Sequence, residues 1–245
     1  MLGRLSLLIL LAIPAVAAAT GRPVLWAWER PEDLRFAGPG AEVAVQTGFV
    51  VLTGDAVFAR GRRFPVRMQG QPSTALVHVQ IDHHRPLAWT AGQRREAAAA
   101  VLAFGRRLGA RRLQVDFEVR ASERQVLLDL LGDVRRGLPR GSSLSMTALA
   151  SWCETESWVA KAPVDEIVPM LFRMGPGGRA LRATLAHGAD FAEPRCRAAY
   201  AISTDTPLPR APAGRRIYLF SPRAWTARDY QSVTEEIARW SAGPG

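Results

Sequence analysis

Eight short apolar runs punctuate this chain, and helix-like stretches separate several of them. The runs are "VLWAWE" (24–29), "EVAVQTGFVVL" (42–52), "ALVHVQID" (75–82), "RLQVDFEV" (112–119), "SLSMTALA" (143–150), "EIVPMLFR" (166–173), "AAYAIST" (198–204) and "RRIYLF" (215–220). Runs of this length, rich in β-branched and aromatic residues, read as strands. Between Thr90 and Leu108, Ala97, Val101, Phe104 and Leu108 recur at helical spacing, with Thr90 and Gln93 as a capping box and Gly109 as the stop. Ser122 with Gln125 opens a second helix carrying Leu127, Leu130, Leu131, Val134 and Leu138. A last helix starts at Thr226 and buries Tyr230, Val233, Ile237 and Trp240.

Strand–helix alternation implies parallel strands joined by crossovers, and eight of them predict a closed (β/α)8 barrel of the TIM type. Between the second and third strands, "TGDAVFARGRRFPVRMQGQPS" instead reads as a turn and a return strand, a β-hairpin in place of the helix. An open doubly wound sheet is the competing arrangement. It lacks support, because nothing resembles a Gly-rich phosphate loop. No cofactor is expected.

The first residues carry a different signal. "MLGRLSLLILLAIPAVAAAT" has one basic residue, an apolar run from Leu5 to Ile13, a break at Pro14 and small residues suited to cleavage. This predicts a signal peptide over 1–19 and one barrel domain over 20–245, in a periplasmic or secreted protein. No later run approaches the ~20 apolar residues of a membrane span. In an oxidising compartment Cys153 and Cys196 are expected to form a disulfide rather than a reactive thiol pair. The formal charge is +10, yet Lys161 is the only lysine and the arginines are scattered in pairs. Without a clustered stripe or interleaved aromatics, no nucleic-acid partner is expected. A monomer is expected.

Alternation along the fourth strand puts Gln114, Asp116 and Glu118 on one face, opposite Leu113, Val115, Phe117 and Val119. The third strand sets His78, Gln80 and Asp82 against Val77, Val79 and Ile81. With the apolar faces on the helix layer, Gln80, Asp82, Gln114, Asp116 and Glu118 point into the lumen. The acids then lie at the strands' C-terminal ends, where barrel enzymes carry their sites. Two carboxyls on one strand face can meet the same bond, and a carboxyl beside another tends to keep its proton. Glycoside hydrolysis needs such a pair, with Glu118 as the acid and Asp116 and Asp82 in support. Trp26, Trp28, Trp152 and Trp225, near strand ends, could stack on the rings of an oligosaccharide or polysaccharide. Glu29 and Arg173 end strands and are candidates for substrate contact or for pairing with a neighbouring charge; Met170, also a candidate, and Phe172 read rather as lumen filling. One opposing reading has Asp82, Asp116 and Glu118 tied to Arg120, Arg124 or Arg173 in a degenerate barrel without a ligand; another has the same rim bind glycan or a partner without catalysis. His83 and His84 point opposite ways on a strand and lack a third ligand, so no metal is expected.

The blocks "LWAWERPEDLRF", "QVDFEVRASER", "SMTALASWC", "VDEIVPMLFRMG" and "RRIYLFSPRAWT" resemble an uncharacterised bacterial family known as domain of unknown function 3142, over about Trp26 to Thr226. The resemblance implies an exported, barrel-like protein. In that family an acid often stands between Asp205 and Pro207, where this chain has Thr206; Asp205 remains as a substrate candidate. The fourth strand is also similar to that of chitinase-like family 18 glycoside hydrolases, which ends in Asp-x-x-Asp-x-Asp-x-Glu. Asp116 and Glu118 match its last Asp-x-Glu, while Gln114 and Arg111 occupy the earlier acidic positions. This likeness implies Glu118 as proton donor and Asp116 as the group orienting a substrate acetamido group.

Overall fold

Eight parallel strands pair in a ring: β1 (Val24–Ala27), β3 (Glu42–Thr53), β6 (Thr74–Ile81), β7 (Arg112–Asp116), β8 (Ser143–Leu149), β9 (Glu166–Met170), β10 (Ala199–Ser203) and β11 (Arg216–Phe220). Pairing of β1 with both β11 and β3 closes the barrel. This computed structural model describes residues 23–155, 158–206 and 214–241, so the segment read as a signal peptide lies outside it. All eight runs singled out in the sequence form the barrel.

The helical coat is incomplete. Helices α1 (Ala91–Arg106), α2 (Arg124–Gly137), α4 (Gly178–Ala186) and α5 (Ala227–Ser241) follow β6, β7, β9 and β11, and β8 is followed by the single turn α3 (Trp152–Thr155). After β1 the chain makes the two-residue strand β2 (Glu32–Asp33), which pairs with β5 (Val66–Arg67). After β3 it turns back as β4 (Ala56–Gly61), antiparallel to β3. None of the described helices is long and apolar enough to cross a membrane.

Side-chain alternation divides the apolar residues in two. Leu25, Val43, Val77, Val115, Met146, Ile167, Ile202 and Leu219 face the coat, while Val24, Trp26, Ala44, Leu76, Val168, Met170, Ala201 and Tyr218 fill the lumen. The N-terminal end of the lumen is closed by charge. Glu42 receives Arg216 at 2.7 Å and Arg112 at 3.3 Å, and Glu166 accepts from Tyr218 Oη at 2.6 Å.

Helix starts follow the sequence in part. Thr90 Oγ1 accepts from Gln93 N at 3.2 Å, as its capping position requires. The expected Ser122–Gln125 box does not form: Glu123 Oε2 accepts from Arg120 N at 2.8 Å, and Gln125 turns along the helix to Asp129. A carboxylate reaching back over the first turn satisfies the same orphan donors and complements the helix dipole. In α5, Thr226 caps Asp229 N, and Val233 and Ile237 are buried, while the side chain of Trp240 lies outside the described residues.

One irregularity shapes the mouth. The β3–β6 register slips between Gln46 and Gly48, the signature of a β-bulge. Thr47 Oγ1 donates to Leu76 O at 3.2 Å and pins it. Gly48 lies beneath the Phe104 ring of α1, where a Cβ would overlap the ring. Gly48→Ala is therefore expected to lose about 1–3 kcal/mol, read as a lower urea midpoint at unchanged m-value. An unchanged midpoint would mean that α1 yields freely.

Candidate functional site

Near the C-terminal end of the lumen, β6, β7 and β8 bring three polar side chains together. Asp116 is 4% exposed, and both its oxygens are engaged: Oδ2 meets His78 Nδ1 at 2.7 Å, and Oδ1 accepts from Thr147 Oγ1 at 2.6 Å. Burial alone would hold the His78 imidazole neutral. The hydrogen bond and charge of Asp116 outweigh it, helped by Gln80 and the charge of Glu118, and the His78 pKa is raised. Trp28 and Phe49 pack edge-on against the imidazole, with centroids at 6.2 and 5.7 Å.

Glu118 lies two residues on, 40% exposed, with Oε1 3.6 Å from Arg173 Nε. That separation is an ion-pair contact, longer than a hydrogen bond. Burial raises the pKa of Glu118 against the pull of Arg173; Asp116 raises it further, and His78 opposes. The carboxyl thus holds its proton to higher pH than a free glutamate, the bias a general acid needs. Neither acid is locked by Arg120 or Arg124. Asp116 is held by His78 and Thr147, and Glu118 meets only the exposed Arg173 among the described ion pairs.

Across from the acids stands an aromatic wall. Phe172 stacks on Phe220 with centroids 4.8 Å apart, Phe220 meets Trp28 at 5.9 Å, and Trp26 joins both Trp28 and Phe172. Trp28, Phe49, Phe172 and Phe220 are all partly exposed. Below them Trp26 Nε1 donates to Gln114 Oε1 at 2.7 Å, and Met170 fills the lumen. Gln114 Nε2, Gln46 Nε2, Ser145 Oγ and Trp28 Nε1 are buried without a protein partner.

Other sequence candidates lie elsewhere. Asp82 follows the last residue of β6, at the rim, and its carboxylate turns back to accept from His84 N at 3.0 Å. It forms no described contact with Asp116 or Glu118. Gln80, by contrast, stays at the cluster: it is exposed, and its side chain hydrogen-bonds His78. His83 pairs with Glu123, away from His84. Glu29 anchors the loop after β4, accepting from Arg63 N at 2.8 Å and meeting Arg60 at 3.3 Å. Asp205 is exposed and bonded to Ser203 and Thr206, and the Ser203 hydroxyl holds its carboxyl below the ordinary aspartate pKa. Trp152 and Trp225 are not mouth residues. Trp152 packs on Trp158 at 5.0 Å in the core beneath the coat, and Trp225 is buried there with Nε1 donating to Trp26 O at 2.9 Å. Cys153 and Cys196 are bonded, with Cα atoms 6.0 Å apart.

His78, Thr147, Phe49 and Phe220 complete the cluster without having been singled out in the sequence, together with Phe172, which the sequence offers as lumen filling. Alternation did place His78 on the inward face. Four surface cavities of about 260, 550, 490 and 610 Å³ lie elsewhere, and none of these four is lined by Asp116 or Glu118. No protein-family model matches the chain, and no curated protein or solved structure is significantly similar to it.

Proposed function

We propose that this chain is an exported carbohydrate-active protein, a glycoside hydrolase of the domain of unknown function 3142 family, released as a monomer after cleavage near residue 19. The observation that carries the reading is the pairing of Glu118, biased toward its protonated form, with a partly exposed aromatic wall of Trp28, Phe49, Phe172 and Phe220. Aromatic faces suit the apolar faces of sugar rings, and an acid beside them can protonate a leaving oxygen. Because both oxygens of Asp116 are occupied, it acts by orientation and charge rather than by attack on carbon. Its anion favours positive charge developing at the anomeric centre. The hairpin β3–β4, standing where a helix would follow the second barrel strand, flanks the mouth.

Glu118→Gln is expected to lower turnover about 10²–10⁴-fold with an unchanged far-UV spectrum, measured on whichever glycan of a panel the wild type cleaves. Retained turnover would remove Glu118 from the chemistry. The Arg173 contact supports a second reading, a barrel that binds glycan without cleaving it. Binding by the wild type with no product released would favour that reading.

A further inference from the structure

We propose that the face of the β3–β4 hairpin turned toward the barrel mouth is a binding wall for an anionic, uronate-type oligosaccharide, with Arg60 and Arg173 as its carboxylate ligands. The proposal rests on the carbohydrate reading above and specifies its substrate class.

The bulge creates this wall. Before it, Ala44 faces the lumen; after the one-residue slip, Phe49 turns inward to meet His78. Residues directly opposed across an antiparallel ladder point to the same side. Phe49 opposes Arg60, and Val51 opposes Phe58. The front of the hairpin therefore carries Phe49, Val51, Phe58 and Arg60. Its back carries Val50 and Leu52, both fully buried in the outer core, with Val57 packed against them. Gln93 at the start of α1 donates to Gly54 O and Ala56 O at the hairpin turn, so the wall is braced from behind.

The front is unlike an ordinary strand surface. Phe58 is 61% exposed although it is a large apolar side chain. Arg60 lies with its guanidinium carbon 3.7 Å from the Phe49 ring centroid, a cation–π arrangement that holds it beside the aromatic that touches His78. From Ala56 to Ile81 the chain contains no acid and four arginines. One of these, Arg62, is consumed by structure, donating to the carbonyls of Ala27, Arg30, Gln46 and Phe64. Arg60 keeps 43% of its side chain exposed, with Nη1 donating to Glu29 Oε2 at 3.3 Å. Beyond the acids, Arg173 is 64% exposed and 3.6 Å from Glu118, with no other ion pair among the described residues.

Two guanidiniums thus bracket the acid centre, one reached through Phe49 and His78 and the other through Glu118. A planar guanidinium binds a carboxylate in bidentate fashion, and aromatic surface beside it suits the pyranose ring that bears the acid. Burial raises the pKa of Glu118, so its carboxyl repels an approaching anion less than a free glutamate would.

The test uses oligosaccharides of galacturonate, mannuronate and glucuronate, each beside its carboxyl-reduced neutral form, titrated calorimetrically at 150 mM NaCl. At least one acidic form is expected to bind ten-fold or more tightly than its reduced partner. Arg60→Gln and Arg173→Gln should each lose about ten-fold, and Phe58→Ala should weaken binding as well. Arg106→Gln with Arg111→Gln, near the opposite end of the barrel, removes the same type of charge and should change nothing. Equal binding of acidic and reduced forms overturns the anionic assignment and leaves the carbohydrate reading intact. An equal loss in the distant pair reduces the effect to bulk charge and also overturns it. Binding of neither form overturns the wall, while the carbohydrate reading beneath it stands or falls on the glycan panel above.

Discussion

Replacing Cys153 and Cys196 together by alanine is expected to lower the stability of the folded protein by about 4 kcal/mol. The bond joins α3, just after β8, to the turn just before β10, across a separation of 43 residues. Loop-closure entropy for a loop of that size gives about 4 kcal/mol. A backbone hydrogen bond from Glu193 N to Cys153 O, 2.9 Å, already holds the two segments in register, so the bridge lies on a contact the fold makes anyway. Both sulfur-bearing residues are fully buried in the outer core, and truncating them also leaves unfilled space. For a chain of this size the loss corresponds to a fall of about 8–16 °C in Tm. Thermal unfolding of the oxidised wild type beside the double variant measures it; coincident melts would mean that the reduced chain is equally restricted. Because neither cysteine is exposed, the native protein should also keep its bond in dithiothreitol at 25 °C and lose it once unfolded in urea.

The barrel was legible because its signal is repetitive. Eight strands each bury a face against the coat, and their Val, Ile and Leu residues recur at a period the sequence cannot conceal. The site was legible only where a strand stayed regular. Alternation along β7 put Gln114 and Asp116 inward, and both are there. It put Asp82 inward too, but β6 ends at Ile81, and the next residue obeys its turn rather than the pleat. Nothing in "EVAVQTGFVVL" marks where the face changes; the bulge lies beside Gly48, which packs under the Phe104 ring of α1, a contact made across 56 residues. Hence Phe49 and the whole hairpin front escaped the sequence reading. Trp152 and Trp225 failed for a related reason: nearness to a strand end in sequence does not say on which side of the barrel wall a loop returns. Trp225 also satisfies the second oxygen of Glu32, which is 3% exposed and already paired with Arg30 at 2.6 Å. That loop therefore serves the packing of β2, and the indole goes with it.

Asp116→Asn is expected to reverse the pH dependence of stability between about pH 5.5 and 8.5. His78 in the folded protein has a raised pKa, while the unfolded chain titrates near 6.5. A raised folded-state value means that the folded protein holds the proton more tightly. Its contribution is complete below about pH 6.5 and disappears as pH rises through the folded pKa. Wild-type stability should therefore fall across that interval. The amide introduced by Asp116→Asn keeps an acceptor for Thr147 but offers His78 no charge, so burial, the largest influence on the imidazole, is opposed only by Gln80 and Glu118 and is expected to push its pKa below the unfolded value. Stability of the variant should then be lost as pH falls, not as it rises. The gap between the two proteins should be widest near pH 5.5, at about 2–3 kcal/mol for a charged hydrogen bond at a site 4% exposed, and should shrink by pH 8.5. Measuring both in a Glu118→Gln background removes the neighbouring carboxyl, whose own titration feels Asp116. Urea unfolding at half-unit steps of pH gives the two curves. Parallel curves would show that His78 and Asp116 do not share a proton across their 2.7 Å contact.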